Sequence, residues 1–318
     1  MFFTILLLLV GLIVLGCGAE MLVSGSSRLA MHLGIPPLVV GLTVVAFGTS
    51  APELSVSIMS ALSGYGSLAL GNVIGSNIAN IGLILGVTAL VSPIRIEVQL
   101  VRQEIPIMIV CCLVLAFMLL DQQLGTGEGV LLSLGLLLYI FFNYRQSRTD
   151  AVPDDVDVDL APMMIKEKVG GLPNQIALIL CGLILLIGGS RLFVDSAVDL
   201  ARFLGVSEAI IGLSLIAIGT SVPELATGVL AALRNQSDIA IGNVIGSNIF
   251  NILCVLGFTS MIAVVLGNQI ALSDFVVMLV FALALLPLAK SGLTLSRREG
   301  LLLLAAYAGY LSYLGWSA

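Results

Sequence analysis

Positions 41–86 read GLTVVAFGTSAPELSVSIMSALSGYGSLALGNVIGSNIANIGLILG, and positions 212–257 read GLSLIAIGTSVPELATGVLAALRNQSDIAIGNVIGSNIFNILCVLG. The two stretches align without a gap at a constant offset of 171, and 24 of the 46 positions are identical. Each places a glutamate, Glu53 or Glu224, directly after a proline and beside a Gly-Thr-Ser, in the middle of an apolar segment. A carboxylate at membrane depth costs about 2.5–3.5 kcal/mol on insertion scales. The same cost met twice, in the same setting, points to use.

The apolar setting extends over the chain. Of 318 residues 59% are hydrophobic and 10% charged, with a mean hydropathy of +1.15; soluble domains carry about 25% charged residues. The repeated apolar runs have the length of a membrane-crossing helix, about 20 residues, and lack the alternation of barrel strands. The composition therefore describes an integral membrane protein; the net charge of −6 says little about nucleic acid, and no basic run is long enough to suggest it as a partner. The N-terminal MFFTILLLLVGLIVLGCG has no Lys or Arg before its apolar run, so it reads as a retained first helix rather than a secretory signal. Cys17, Cys111, Cys112, Cys181 and Cys254 all fall in apolar segments without metal-ligand spacing, which predicts buried, inert thiols. His32 is placed on the surface, in a short polar connection.

Ten spans are expected, at 2–23, 38–61, 68–91, 103–120, 128–143, 173–193, 207–232, 239–266, 272–289 and 299–317. The one long connection, 144–172, carries Asp150, Asp154, Asp155, Asp157 and Asp159, and divides the chain into a first five-helix repeat (1–143) and a second (173–318). Its DDVDVD is no EF-hand, because Leu160 and Lys166 stand where glycine and glutamate are needed. With the N-terminus outside, 11 Lys and Arg lie in inner loops and only Arg191 and Arg202 in outer ones. By the positive-inside rule both termini are outside and the linker is cytoplasmic. Five spans per repeat is an odd number, so equivalent helices cross in opposite directions. This all-α plan, ten transmembrane helices as two inverted five-helix repeats, is that of secondary transporters, with a site near the midplane.

Ala46, Thr49, Ser50 and Glu53 are spaced i, i+3, i+4 and i+7 and share one helical face. Pro52 deprives the Gly48 carbonyl of its helical donor and opens that turn. Ala217, Thr220, Ser221, Pro223 and Glu224 repeat the pattern. The next span adds Asn72, Ser76 and Asn80 with Asn77, repeated as Asn243, Ser247 and Asn251 with Asn248. Oxygen-only ligands suit hard cations such as Na⁺ and Ca²⁺. Gly71, Gly75, Gly242 and Gly246 read as helix-packing residues, while Asn72 and Asn243 read equally as caps, packing groups or ion contacts. No Lys or Arg lies in the core of a span to pair with the glutamates. Two ionised carboxylates facing each other carry −2; one Ca²⁺ or two or more Na⁺ neutralise it. A loaded site can then move across the membrane where an empty one cannot, which makes a binding site an obligatory antiporter.

GTSAPE with GNVIGSNIAN, repeated as GTSVPE with GNVIGSNIFN, resembles the two alpha-repeats of the sodium/calcium exchanger (cation/calcium antiporter) superfamily, closest to its prokaryotic members. The resemblance implies exchange of Na⁺ for Ca²⁺ across the plasma membrane, bacterial inner membrane included, by alternating access, with the first and sixth helices sliding over a core of the others. It implies Glu53 and Glu224 as central Ca²⁺ ligands, helped by the carbonyls of Thr49 and Thr220. The carbonyls of Ala46 and Ala217, the hydroxyls of Ser50 and Ser221, and Ser76 and Ser247 would form outer Na⁺ sites, with Asn80 and Asn251 bordering the middle. Where relatives often carry aspartate this chain has Asn251, which argues against K⁺ dependence.

The alternative on the same scaffold is an antiporter coupling H⁺ to Ca²⁺ or to another divalent cation. A channel or sensor is a further class. An intramembrane hydrolase lacks a base near Ser50 or Ser221, so no enzyme is expected. The partners are the transported Ca²⁺ and Na⁺ and the lipid bilayer, with no cofactor, no nucleic acid and no obligatory protein partner.

Overall fold

The computed structural model describes residues 2–149, 171–205, 219–267 and 270–317. It is helical almost throughout: α1 (Phe2–Leu33), α2 (Pro37–Thr49), α3 (Ala51–Leu62), α4 (Gly66–Val91), α5 (Leu100–Asp121), α6 (Thr126–Thr149), α7 (Leu172–Phe203), α8 (Val222–Leu233), α9 (Ser237–Ile262), α10 (Leu272–Lys290) and α11 (Arg297–Ser317). Among the described residues seven helices are long and apolar enough to cross a membrane, namely α1, α4, α5, α6, α7, α9 and α10. The bent pair α2–α3 brings the number to eight if it is one span. α11 has 21 residues and opens on Arg297, Arg298 and Glu299.

The boundaries differ from the sequence expectations where helices outrun their apolar stretch. α1 continues ten residues past the expected end at 23, and α7 runs to Phe203 rather than 193. The added turns are held by packing against the rest of the bundle, where Ser26, Leu29 and Ala30 are buried, so tertiary contact supplies what hydropathy does not. His32 lies in the last turn of α1, exposed, and not in a connection. α6 extends to Thr149, which removes 144–149 from the expected linker; residues 150–170 with its aspartates, and the first part (207–218) of the span expected at 207–232, lie outside the described residues.

α4 and α9 sit at the centre. The most apolar stretch of α9 is wholly buried and that of α4 78% buried, against 28–33% for the other spanning helices. Around them, Leu70, Ile74, Ile78, Ile81, Leu85, Ile245, Ile249 and Leu256 build the main core. α1 and α7 pack against each other along their length and form a second apolar cluster through Leu15, Leu22, Ile179 and Leu186. Glycines allow that approach: a Cβ on Gly18 would lie 2.7 Å from the Leu186 nitrogen, and one on Gly189 2.7 Å from the Leu15 nitrogen. Without a hydrophobic drive between helices in lipid, such small-residue contacts are what brings them together.

Two short antiparallel pairs tie the loops. β1 (Ile94–Arg95) joins β4 (Thr294–Leu295), and β2 (Gln123–Leu124) joins β3 (Val265–Leu266). Cys111, Cys112 and Cys254 are buried, as expected, but Cys17 and Cys181 are exposed, on the outward faces of α1 and α7. In a bilayer such faces meet lipid, so an apolar setting in the sequence does not by itself mean burial in the protein.

Candidate functional site

The helix break at the first glutamate follows from its proline. α2 ends at Thr49, Ser50 turns out of helix at φ −80° and ψ 3°, and α3 starts at Ala51 with Pro52 in its first turn, bent 42° from α2. The expected loosened turn is thus a full break. In the second copy Ser221 has φ −91° and ψ 5°, and α8 starts at Val222 with Pro223 in its first turn. Glu53 and Glu224 therefore each lie in the first turn of a half-helix. There the free N–H groups present about half a positive charge, favourable to a carboxylate.

Both glutamates are buried, at 1% exposure each, and none of their four carboxylate oxygens carries a hydrogen bond among the described residues. The copies exchange partners: Glu53 lies beside the hydroxyls of Thr220 and Ser221, and Glu224 beside those of Thr49 and Ser50 and within the field of Glu53. Two carboxylates, one from each copy, thus face a shared space rimmed by hydroxyls.

The central helices complete the rim. Thr49 Oγ1 donates to Asn243 Oδ1 at 3.0 Å, or back to the Val45 carbonyl at 3.1 Å, and stands 3.5 Å from Ser247 Oγ. Across the site Ser221 Oγ donates to Ser76 Oγ at 3.4 Å. Among the described residues, the hydroxyls of Ser50 and Thr220 and the amide oxygens of Asn80 and Asn251 are buried atoms without a hydrogen-bond partner. The Ala46 carbonyl accepts from the Ser50 N–H at 3.0 Å; Ala217 lies outside the described residues. The structure brings together Glu53, Glu224, Thr49, Thr220, Ser50, Ser221, Ser76 and Ser247, with Asn80 and Asn251 on the helices between them.

Of the glycines expected to pack, Gly246 does so most closely, where a Cβ would lie 2.6 Å from the Leu42 carbonyl and 2.7 Å from the Ala46 Cβ, and at Gly242 one would lie 3.1 Å from the Leu38 carbonyl, whereas one at Gly75 would meet nothing within 4 Å; the close approach at Gly246 lets α2 rest on α9 and carries Thr49 to Ser247. Asn72 and Asn243 prove to be tethers. Asn72 Nδ2 donates to the Glu53 carbonyl at 3.3 Å and to Ser57 Oγ at 3.1 Å, while Asn243 holds Thr49.

Sequence reasoning missed the widened turns. Asn80–Leu85 on α4 and Asn251–Leu256 on α9 are wound as π-type turns, as are Gly41–Val45 and Leu100–Glu104. Such bulges are frequent at functional sites. Here two begin at the two asparagines of the site, and no residue pattern announces them. Equally unannounced is a cavity beside the site. A cavity of about 410 Å³ lies between α3 and α7, lined by Pro52, Ser190, Arg191, Asp195, Gly219 and Thr220. It opens beside the C-terminal half of α7. At the C-terminal half of α1, Arg234 after α8 grips Glu20 with two bonds, 2.7 and 3.1 Å. The repeat offset maps Glu20 to Arg191 and Arg234 to Ser63, so this ion pair has no counterpart in the other copy.

Fold and site together describe a multi-pass helical membrane protein with two buried glutamates among side-chain hydroxyl and amide oxygens, and its family is one of cation antiporters. The chain belongs to the sodium/calcium exchanger family, whose model, described as sodium/calcium exchanger protein, matches residues 3–145 and 174–316. It is 40% identical over 312 residues to the putative antiporter CaxA of Alkalimonas amylolytica, covering 95% of each chain. It is 38% identical to the inner membrane protein YrbG of Escherichia coli K12 (98% of this chain, 96% of the relative) and 32% to the sodium/calcium exchanger MaX1 of Methanosarcina acetivorans (96% and 97%). Among solved structures it resembles the sodium-calcium exchanger NCX_Mj soaked with 2.5 mM Na⁺ and 1 mM Sr²⁺, with a TM-score of 0.82, 31% identity and 97% of each chain covered.

Proposed function

We propose that this chain exchanges Na⁺ for Ca²⁺ across the plasma membrane, the inner membrane in a bacterium, by alternating access, with no cofactor and no obligatory protein partner. The observation that carries the reading is the pair of buried glutamates without a hydrogen bond among the described residues, each beside the hydroxyls of the other copy. A carboxylate so placed is stable when a cation supplies its missing partner. Glu53 and Glu224 are the central Ca²⁺ ligands in this reading, with Thr49 and Thr220. Ser50, Ser221, Ser76, Ser247 and the carbonyls of Ala46 and Ala217 hold Na⁺ toward the two ends, and Asn80 and Asn251 border the middle. The donors are neutral or anionic oxygens, the set for hard cations. Ca²⁺ or several Na⁺ neutralise the pair and allow the site to change sides; the empty site carries −2 and stays.

The architecture in this reading is ten spans in two inverted repeats, 1–143 and 173–318, joined by a cytoplasmic linker, both termini outside. The strand pairing supports the inversion. β1 and β2 lie at opposite ends of α5, about 33 Å apart for 22 residues. The offset of 171 carries β1 onto β3 and β2 onto β4, yet β1 pairs with β4 and β2 with β3. Each element's copy therefore lies at the other end of the bundle. The cavity at α7 and the closed Glu20–Arg234 contact at α1 fit a conformer open on one side only.

The test is uptake of radioactive calcium into vesicles reconstituted with the purified protein, with Na⁺, K⁺ and pH gradients imposed separately. An outward Na⁺ gradient should drive uptake. If only a pH gradient does, the chain is the proton-coupled alternative, and gradient-independent currents would make it a channel.

A further inference from the structure

The amide oxygens of Asn80 and Asn251 are useful to a cation only if both side chains hold one of their two orientations. An amide turned the other way presents an NH₂, which repels it. What fixes the orientation is a relay of hydrogen bonds between α4 and α9. Asn80 Nδ2 donates to Asn248 Oδ1 at 3.0 Å, and Asn251 Nδ2 donates to Asn77 Oδ1 at 3.0 Å. The offset of 171 exchanges Asn80 with Asn251 and Asn77 with Asn248, so each bond is the image of the other.

The relay is anchored at its outer ends on groups that can only accept. Asn248 Nδ2 donates to the Met108 thioether on α5 at 3.4 Å. Asn77 Nδ2 donates to the Asn248 backbone carbonyl at 3.3 Å and faces the Met278 thioether on α10 at 4.0 Å. A sulfur without hydrogen and a carbonyl oxygen each demand the NH₂ end of the amide. That turns the oxygens of Asn77 and Asn248 toward Asn251 and Asn80, and these must answer with their own NH₂ groups. All four asparagines are buried, at 0–1% exposure, so water does not compete. The end products are two amide oxygens, Asn80 Oδ1 and Asn251 Oδ1, buried and without a partner among the described residues.

We propose that Asn77, anchored on the Asn248 carbonyl beside Met278, and Asn248, anchored on Met108, are positioning residues that lock Asn80 and Asn251 with their amide oxygens free for a bound cation. The middle of the site then offers acceptors only, and it discriminates for small hard cations without a third carboxylate. This rests on the reading of the site as a cation site.

The test is a double-mutant cycle read by calorimetric Ca²⁺ binding to the purified protein and by the KM for Ca²⁺ in vesicle uptake. Asn77→Ala frees the Asn251 amide to turn and should weaken Ca²⁺ binding about tenfold, the scale of one misdirected buried hydrogen-bonding group. In an Asn251→Asp background the same change should cost less than about twofold, because both carboxylate oxygens accept and no orientation has to be held. The mirror pair, Asn248→Ala with Asn80→Asp, should behave alike. Met108→Leu, close to isosteric and outside the ion site, folds as the native chain does and should weaken binding in the same direction through loss of the sulfur acceptor. An equal loss from Asn77→Ala in both backgrounds, or an unchanged affinity in Met108→Leu, overturns the inference and leaves the cation site standing. No Ca²⁺ binding by the unaltered chain overturns the site reading and the inference with it.

Discussion

At the scale of single residues, the proposed reading rests on the two glutamates. Each sits on a half-helix N-terminus with neither oxygen hydrogen-bonded among the described residues, and in the proposed reading each contributes half of the site's charge. Glu53→Gln or Glu224→Gln keeps the shape and removes one charge. Ca²⁺ uptake should fall at least about 100-fold in either variant, with expression and detergent monodispersity unchanged. Near-normal flux in both would take these residues out of the site. Outside the membrane, Glu97 has a different character. Burial, and then the neighbouring Asp238 carboxylate, hold it above its ordinary value of 4.5. A carboxyl raised on folding stabilises the fold below its unfolded value, and that contribution is lost as pH rises through the folded one. Glu97→Gln should therefore raise the melting temperature more at about pH 8 than at about pH 5; an equal shift at both would detach Glu97 from Asp238.

At the scale of elements, the α1–α7 contact is set by glycine. A Cβ at Gly18 would press on the Leu186 nitrogen at 2.7 Å and the Gly182 carbonyl at 2.9 Å, whereas one at Gly16 meets nothing within 4 Å. Gly18→Ala should cost about 1–3 kcal/mol of stability, the usual range for overpacking, seen as a lower melting temperature in detergent, while Gly16→Ala leaves it unchanged. Backbone is what blocks the added methyl at Gly18, so side-chain rotation cannot relieve it. The helix break between α2 and α3 belongs to the same scale. Pro52 was legible as a disturbance, but whether the turn would open or break was not. That depended on α2 resting against α9 through Gly246 while α3 packs on α4.

At the scale of the whole molecule, the inverted plan makes a topological prediction. Single cysteines introduced at Gly64, between α3 and α4, and at Gly292, before β4, in a background without the native thiols, should lie on opposite sides of the membrane. An impermeant thiol reagent applied to intact cells should label position 64 and reach position 292 only after lysis. Labelling of both from one side would break the inverted arrangement, since the two positions sit at opposite ends of the bundle in that reading. Exposed Cys17 and Cys181 make removal of the native thiols necessary.

The chain's membrane character, its membership of the exchanger family and the identity of its glutamate-hydroxyl motifs were determined by the sequence alone. A repeat of 24 identities in 46 positions and an apolar composition leave few alternatives, because in lipid a backbone must satisfy its own hydrogen bonds and an uncompensated carboxylate is expensive. Tertiary structure alone decided the rest. Which hydroxyl meets which carboxylate, the exchange of partners between copies, the amide relay and its sulfur anchors, the widened turns at Asn80 and Asn251 and the cavity beside α7 all depend on distances between helices far apart in the chain. Local pattern places a residue on a face; only the packed bundle says what that face meets.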